Sequence, residues 1–119
     1  MAEATLFIGW GAVIPGRERQ AIEVFGQTLQ YYDRLRRDGE ISNFEPCLLE
    51  PHGGDLAGFI LIRGDRDRLT HLRYTPEFLH NINRAQLVVH NVGVVTGFVG
   101  EELQRIMSDF ESQIGELAS

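Results

Sequence analysis

The chain contains no lysine. All eleven of its basic residues are arginines, spread along 119 positions without forming a stripe. The missing lysine is therefore read as codon or lineage bias. Acidic residues number 17, which leaves a formal net charge of −6. A chain of that sign without a basic patch is unsuited to neutralising a phosphate backbone, so nucleic acid is not an expected partner. There is one cysteine, Cys47, so no intrachain disulfide can form. No apolar run approaches the roughly 20 residues that cross a bilayer. The N-terminal stretch Met1 to Phe7 lacks a basic region followed by a long apolar core, so no signal peptide is read there. The membrane is not an expected partner, and the cytoplasm is the expected compartment. The four histidines have irregular gaps, and no two sit four apart on one helix, so no metal site is read from them. Phosphate loop, dinucleotide fingerprint and nucleophile elbow are all missing.

What is present is enough apolar residue, 43% of the chain, to build the core of one domain over residues 1–119. The most telling stretch is Asp55 to Gly64. It has strand length, glycines flank it, and both alternate faces are apolar: Leu56, Gly58, Ile60 and Ile62 on one, Ala57, Phe59 and Leu61 on the other. A strand with one wet face alternates apolar and polar, so this strand is central and covered on both sides. Thr5 to Ile14 has the same character and is expected to be a second central strand. Gly9 and Gly11 fall on one of its faces, where glycine marks close packing or a close approach by another backbone or a ligand.

Pro15-Gly16 starts a helix to Arg37, with Ala21, Ile22, Phe25, Thr28, Leu29, Tyr32 and Leu35 at helical spacing. Ile41 to Glu50 is a more polar strand, and Pro46, which lacks a donor, places it at an edge. It is expected to form a hairpin with the Asp55 strand. A helical piece from Arg66 to Tyr74 is followed by Thr75-Pro76-Glu77, an N-cap and first turn that restart a helix to Ala85. Leu87 to Phe98 is predicted to be the fourth strand. Gly100 opens a last helix to Leu117, whose stripe of Leu103, Ile106, Met107, Phe110, Ile114 and Leu117 needs burial on its own sheet or across a dimer.

The order is βαββαβ plus a C-terminal helix, the split βαβ or ferredoxin-like arrangement, α+β with an antiparallel four-stranded sheet. Helices cover one face of such a sheet. With central strands apolar on both faces, the other face needs a cover, and a second copy is the simplest one. In this order, length and doubly apolar strands the chain resembles the dimeric α+β barrel superfamily. That resemblance implies a homodimer in which each subunit has a cavity between sheet and helices. It also implies a range of activities, from cofactor-free antibiotic-biosynthesis monooxygenases and small isomerases to stress-responsive proteins. The haem-degrading branch resembles a pattern of Asn on the first strand, Trp on the third and His on the second helix. Only His80 matches it here, so haem is not assigned and no bound cofactor is expected.

Four residues are candidates for the cavity. His90 lies between Val88 and Val92 on the predicted fourth strand. Imidazole is suited to proton transfer near neutral pH, so His90 is the catalytic candidate; a core histidine bonded to a backbone carbonyl is the competing reading. Trp10, the single tryptophan, supplies apolar area and one donor. Tyr32, on the inward stripe of the first helix, would orient a polar group. Arg63, ending the third strand, would clamp a carboxylate or else reach for the rim. Two functions follow. One is a dimer whose cavities take a small, largely apolar organic ligand, with monooxygenase- or isomerase-like chemistry. The other is a non-catalytic dimeric interaction or stress-response module, in which these side chains are dispersed or packed.

Overall fold

A computed structural model of the protein describes residues 3–118. Strand β1 spans Glu3–Trp10, helix α1 Glu18–Arg37, β2 Asn43–Leu48 and β3 Gly58–Asp65. Two helices follow, α2 Arg66–Leu72 and α3 Pro76–Gln86, then β4 Gly93–Phe98 and α4 Gly100–Ala118. The sheet order is β2-β3-β1-β4, with every pairing antiparallel. The two doubly apolar strands are thus central neighbours. The Pro46 strand is an edge, where its missing donor leaves no ladder bond unmade.

Cross-strand partners share a face, so the register divides the sheet's residues between its two sides. Leu6 opposes Ile62 and Ile8 opposes Ile60. These four side chains, with Ala4, are buried against Tyr32 and Leu35 of α1 and Phe78 of α3. On the other face Phe7 opposes both Leu61 and Val95. Phe7 also stacks on Phe59, with ring centroids 5.2 Å apart. Phe7, Phe59 and Leu61 are only half-buried, and Val95 is 56% exposed. Both faces are therefore apolar, and on the Phe7 face the described residues leave the row Val95, Phe7 and Leu61 partly uncovered.

Local signals fix the helix ends. Thr75 accepts from the Phe78 amide (3.4 Å) and Pro76 occupies the first turn of α3. Asp65 caps α2 by accepting from Arg68 N at 3.2 Å. Gly39, with φ +77°, closes α1 in the left-handed region that favours glycine.

Two expectations change. The predicted strand Leu87 to Phe98 begins only at Gly93. Leu87 is the C-cap of α3, and the amides of Val88 and Val89 still donate to Ala85 O at 3.0 Å. The helix end consumes residues whose apolar alternation reads as strand, and Asn91 at φ +58° then turns the chain into β4. Likewise the predicted strand Thr5 to Ile14 ends at Trp10, and beyond it only an isolated bridge, Val13 to Val89, continues. The α4 stripe is not buried on its own sheet: Leu103, Met107, Phe110 and Ile114 are about half exposed or more (46, 53, 58 and 52%).

Candidate functional site

Between the sheet's buried face and helices α1 and α3 lies a cavity of about 370 Å³, within the size range of small-molecule sites. Its floor is Ile8 and Trp10 of β1 with Ile60 of β3. One wall is α1, through Val24, Phe25, Thr28 and Tyr32; the opposite wall is α3, through Asn81, Ile82 and Ala85. The stretch between α3 and β4 closes the end with Val88, Val89 and Val92. Exposed Val13, Ile22 and Leu48, with Glu18, form the rim.

That closing stretch is held by backbone bonds to the segment after β1. Gly11 N donates to His90 O at 2.7 Å, His90 N to Ala12 O at 2.9 Å and Ile14 N to Val88 O at 2.9 Å. The approach is close at Gly11, where an added side chain would press on neighbouring backbone. A Cβ there would stand 3.0 Å from Asp55 O and 3.1 Å from His90 O. Gly58 has a similar role beside the indole, since its added Cβ would fall 2.8 Å from Trp10 Cζ2 and 2.9 Å from Cys47 O. The indole lies over bare backbone and meets Phe25 edge-on, centroids 5.8 Å apart.

Tyr32 is 1% exposed, its ring set between Tyr31 (centroids 5.1 Å) and Phe44 (6.0 Å). Its hydroxyl has no hydrogen-bond partner among the described residues. No fully enclosed side-chain polar atom of the described residues is left unpaired. The unpaired Tyr32 hydroxyl is therefore not fully enclosed, and its side chain is part of the cavity lining. Burial, then the charge of neighbouring Tyr31, raises the phenol's pKa far above its usual value, so it remains an O–H donor. Thr28 Oγ1 donates to Asn81 Oδ1 at 2.8 Å, which leaves the Asn81 amide nitrogen with two donors to place.

Of the four sequence candidates, the structure brings Trp10 and Tyr32 together on this cavity. Arg63 is elsewhere. It projects from β3 with the parity of Phe59 and Leu61, on the face away from the helices, and pairs with Glu3 at 3.6 Å. His90 sits in the bend after α3, exposed and outside the cavity lining. The other three histidines are exposed too; His52 donates through Nε2 to Leu56 O (2.7 Å) while its Nδ1 accepts from Gly54 N (3.3 Å). Thr28 lies on the inward stripe that the sequence shows for α1, and Asn81 is next to inward Ile82, but neither is a candidate on sequence grounds. Among the described residues no group of three or more His, Cys, Asp or Glu side chains is placed to hold a metal ion.

Solved structures with the same architecture were found by comparison. A dimeric protein of unknown function and ferredoxin-like fold from Bacteroides fragilis aligns with TM-score 0.62 and 10% identity, over 83% of this chain and 98% of that one. A dimeric ferredoxin-like protein of unknown function from Jannaschia sp. gives 0.62 and 13%, over 82% and 99%. The fold is ferredoxin-like. SnoaB from Streptomyces nogalater, a cofactor-independent oxygenase, aligns with TM-score 0.57 and 16% identity over 85% of this chain and 96% of that one. At such identities the likeness is one of fold. No family model and no curated protein matches the chain.

Proposed function

We propose that this ferredoxin-like chain is a homodimer, sheet face to sheet face, in which each subunit takes up a small, largely apolar organic molecule between its sheet and helices. The observation that carries the ligand reading is the cavity itself. It is about 370 Å³, walled by aliphatic and aromatic side chains and entered past an exposed apolar rim. Space of that size left empty forfeits packing contacts on every side, and its few polar groups belong to Trp10, Thr28, Tyr32, Asn81 and Glu18. The dimer reading rests on the uncovered row Val95, Phe7 and Leu61, and is supported by the dimeric state of the ferredoxin-like proteins of Bacteroides fragilis and Jannaschia.

Titration calorimetry with neutral bicyclic hydrocarbons tests the first part. Binding at one molecule per chain, lost on filling the cavity with Ala85→Phe, is the expected result. A cavity that takes up none of them is not a ligand site. A second reading, cofactor-free oxygenation of the bound molecule, is supported by the shared architecture with SnoaB. Its measurement is oxygen uptake that requires both the protein and an oxidisable aromatic ligand.

A further inference from the structure

We propose that the cavity selects uncharged molecules carrying a hydrogen-bond-acceptor oxygen, a carbonyl or an ether, and seats that oxygen on the hydroxyl of Tyr32. The inference rests on the ligand reading above and adds the chemistry of what binds. Three observations converge. The Tyr32 hydroxyl has no partner among the described residues, and it belongs to a side chain that is 1% exposed and lines the cavity. A ligand oxygen restores the bond it lacks, and the enclosed setting makes that bond count for more than it would in water.

Two further lining residues carry unengaged donors. Neither the Trp10 indole N–H nor the Asn81 amide nitrogen has a partner among the described residues, because the Thr28–Asn81 bond occupies Oδ1. Unengaged donors on lining residues are matched by a molecule that brings an acceptor. Charge supplies the third constraint. No arginine or histidine lines the cavity, and its one charged residue is Glu18 at the rim. An anion would enter past a carboxylate to a site without a cation, and would lose its hydration there. Carboxylates are therefore rejected, although their oxygens are good acceptors.

Calorimetry on the full-length chain with three probes of similar shape decides the matter: α-tetralone (a neutral ketone), tetralin (the same frame without oxygen) and α-naphthoate. The ketone is expected to bind about fivefold more tightly than tetralin, the worth of one hydrogen bond of ordinary strength. Tyr32→Phe should abolish that difference while leaving tetralin affinity unchanged, and the carboxylate should bind most weakly. A readout independent of any variant is the carbonyl stretch of bound α-tetralone, which a hydrogen bond moves to lower frequency than in hydrocarbon solvent. Tetralone and tetralin binding equally, with an unshifted carbonyl band, would overturn the selection for oxygen and leave the apolar cavity reading standing. Tightest binding of α-naphthoate would overturn the selection against charge. Failure of all three to bind would remove the ligand site altogether.

Discussion

At the scale of single residues, Tyr32 has a measurable consequence even without a ligand. The chain has no lysine, one cysteine and three tyrosines, so its alkaline titration above pH 9 is dominated by phenols. In the unfolded chain Tyr32 ionises near pH 10, whereas in the folded protein burial holds its pKa well above that. The folded state then binds more protons than the unfolded one. Stability is full below pH 10 and falls as pH rises beyond it, by about 1.4 kcal/mol per pH unit for this one group. Tyr31, also raised chiefly by burial, acts in the same direction. Melting temperatures followed from pH 9 to 11.5 should drop, and Tyr32→Phe should flatten the slope. Equal slopes in both proteins would mean that Tyr32 is not enclosed as described.

The same scale shows what the sequence makes readable. Trp10 and Tyr32 were legible because each obeys the period of its own element, two for β1 and 3.6 for α1. Arg63 was not, because β3 is apolar on both faces and nothing in its alternation says which face the helices cover. His90 was misplaced for a different reason. Val88, His90 and Val92 alternate as a strand would, but a helix C-cap and a left-handed Asn91 also fit that string. The unmet hydroxyl of Tyr32 depends on everything around it and has no signature in the order of residues.

Among the elements, α4 is the least attached. Its first turn is tied to α2 by Glu102, which pairs with Arg66 at 3.5 Å. Its stripe was plain in the sequence, but what the stripe packs on was not, since helical periodicity identifies a face and never its partner. In the single chain Phe110 is 58% exposed, so Phe110→Ala should cost under about 1 kcal/mol when the protein is dilute. Where a second chain covers the ring, the loss approaches the roughly 3–5 kcal/mol of a buried phenylalanine. Denaturation at low and high protein concentration separates the cases. A larger loss at high concentration is expected, and a small loss at both would leave the stripe bare in the assembly as well.

For the whole molecule, the radius of gyration is 16.8 Å and the extents are 57 × 38 × 23 Å. A compact chain of this length has a radius of about 13–14 Å. The elongation and the uncovered sheet face agree with a protomer shaped for assembly. Sedimentation should therefore give twice the chain mass of 13.5 kDa. Leu61→Asp, which puts a charge on the uncovered face and not into the core, should return the monomer with its helical spectrum intact. A native protein that sediments as a monomer at micromolar concentration would refute the dimer. Element order and the edge position of Pro46 were legible at this scale because the helical stripes are regular, the apolar runs have strand length and the turn residues are strong.

The stretch from Leu87 to Val92 is at once the cavity's end wall and a piece of chain outside regular secondary structure, stitched to residues 11–14 by a few backbone bonds. Its opening is a small local unfolding, which requires far less free energy than unfolding the sheet beneath it. Ligand traffic and amide exchange then share one clock. The Gly11, Ile14 and His90 amides should exchange together, faster than the Ile8 and Ile60 amides, and all three should slow in step as the cavity fills.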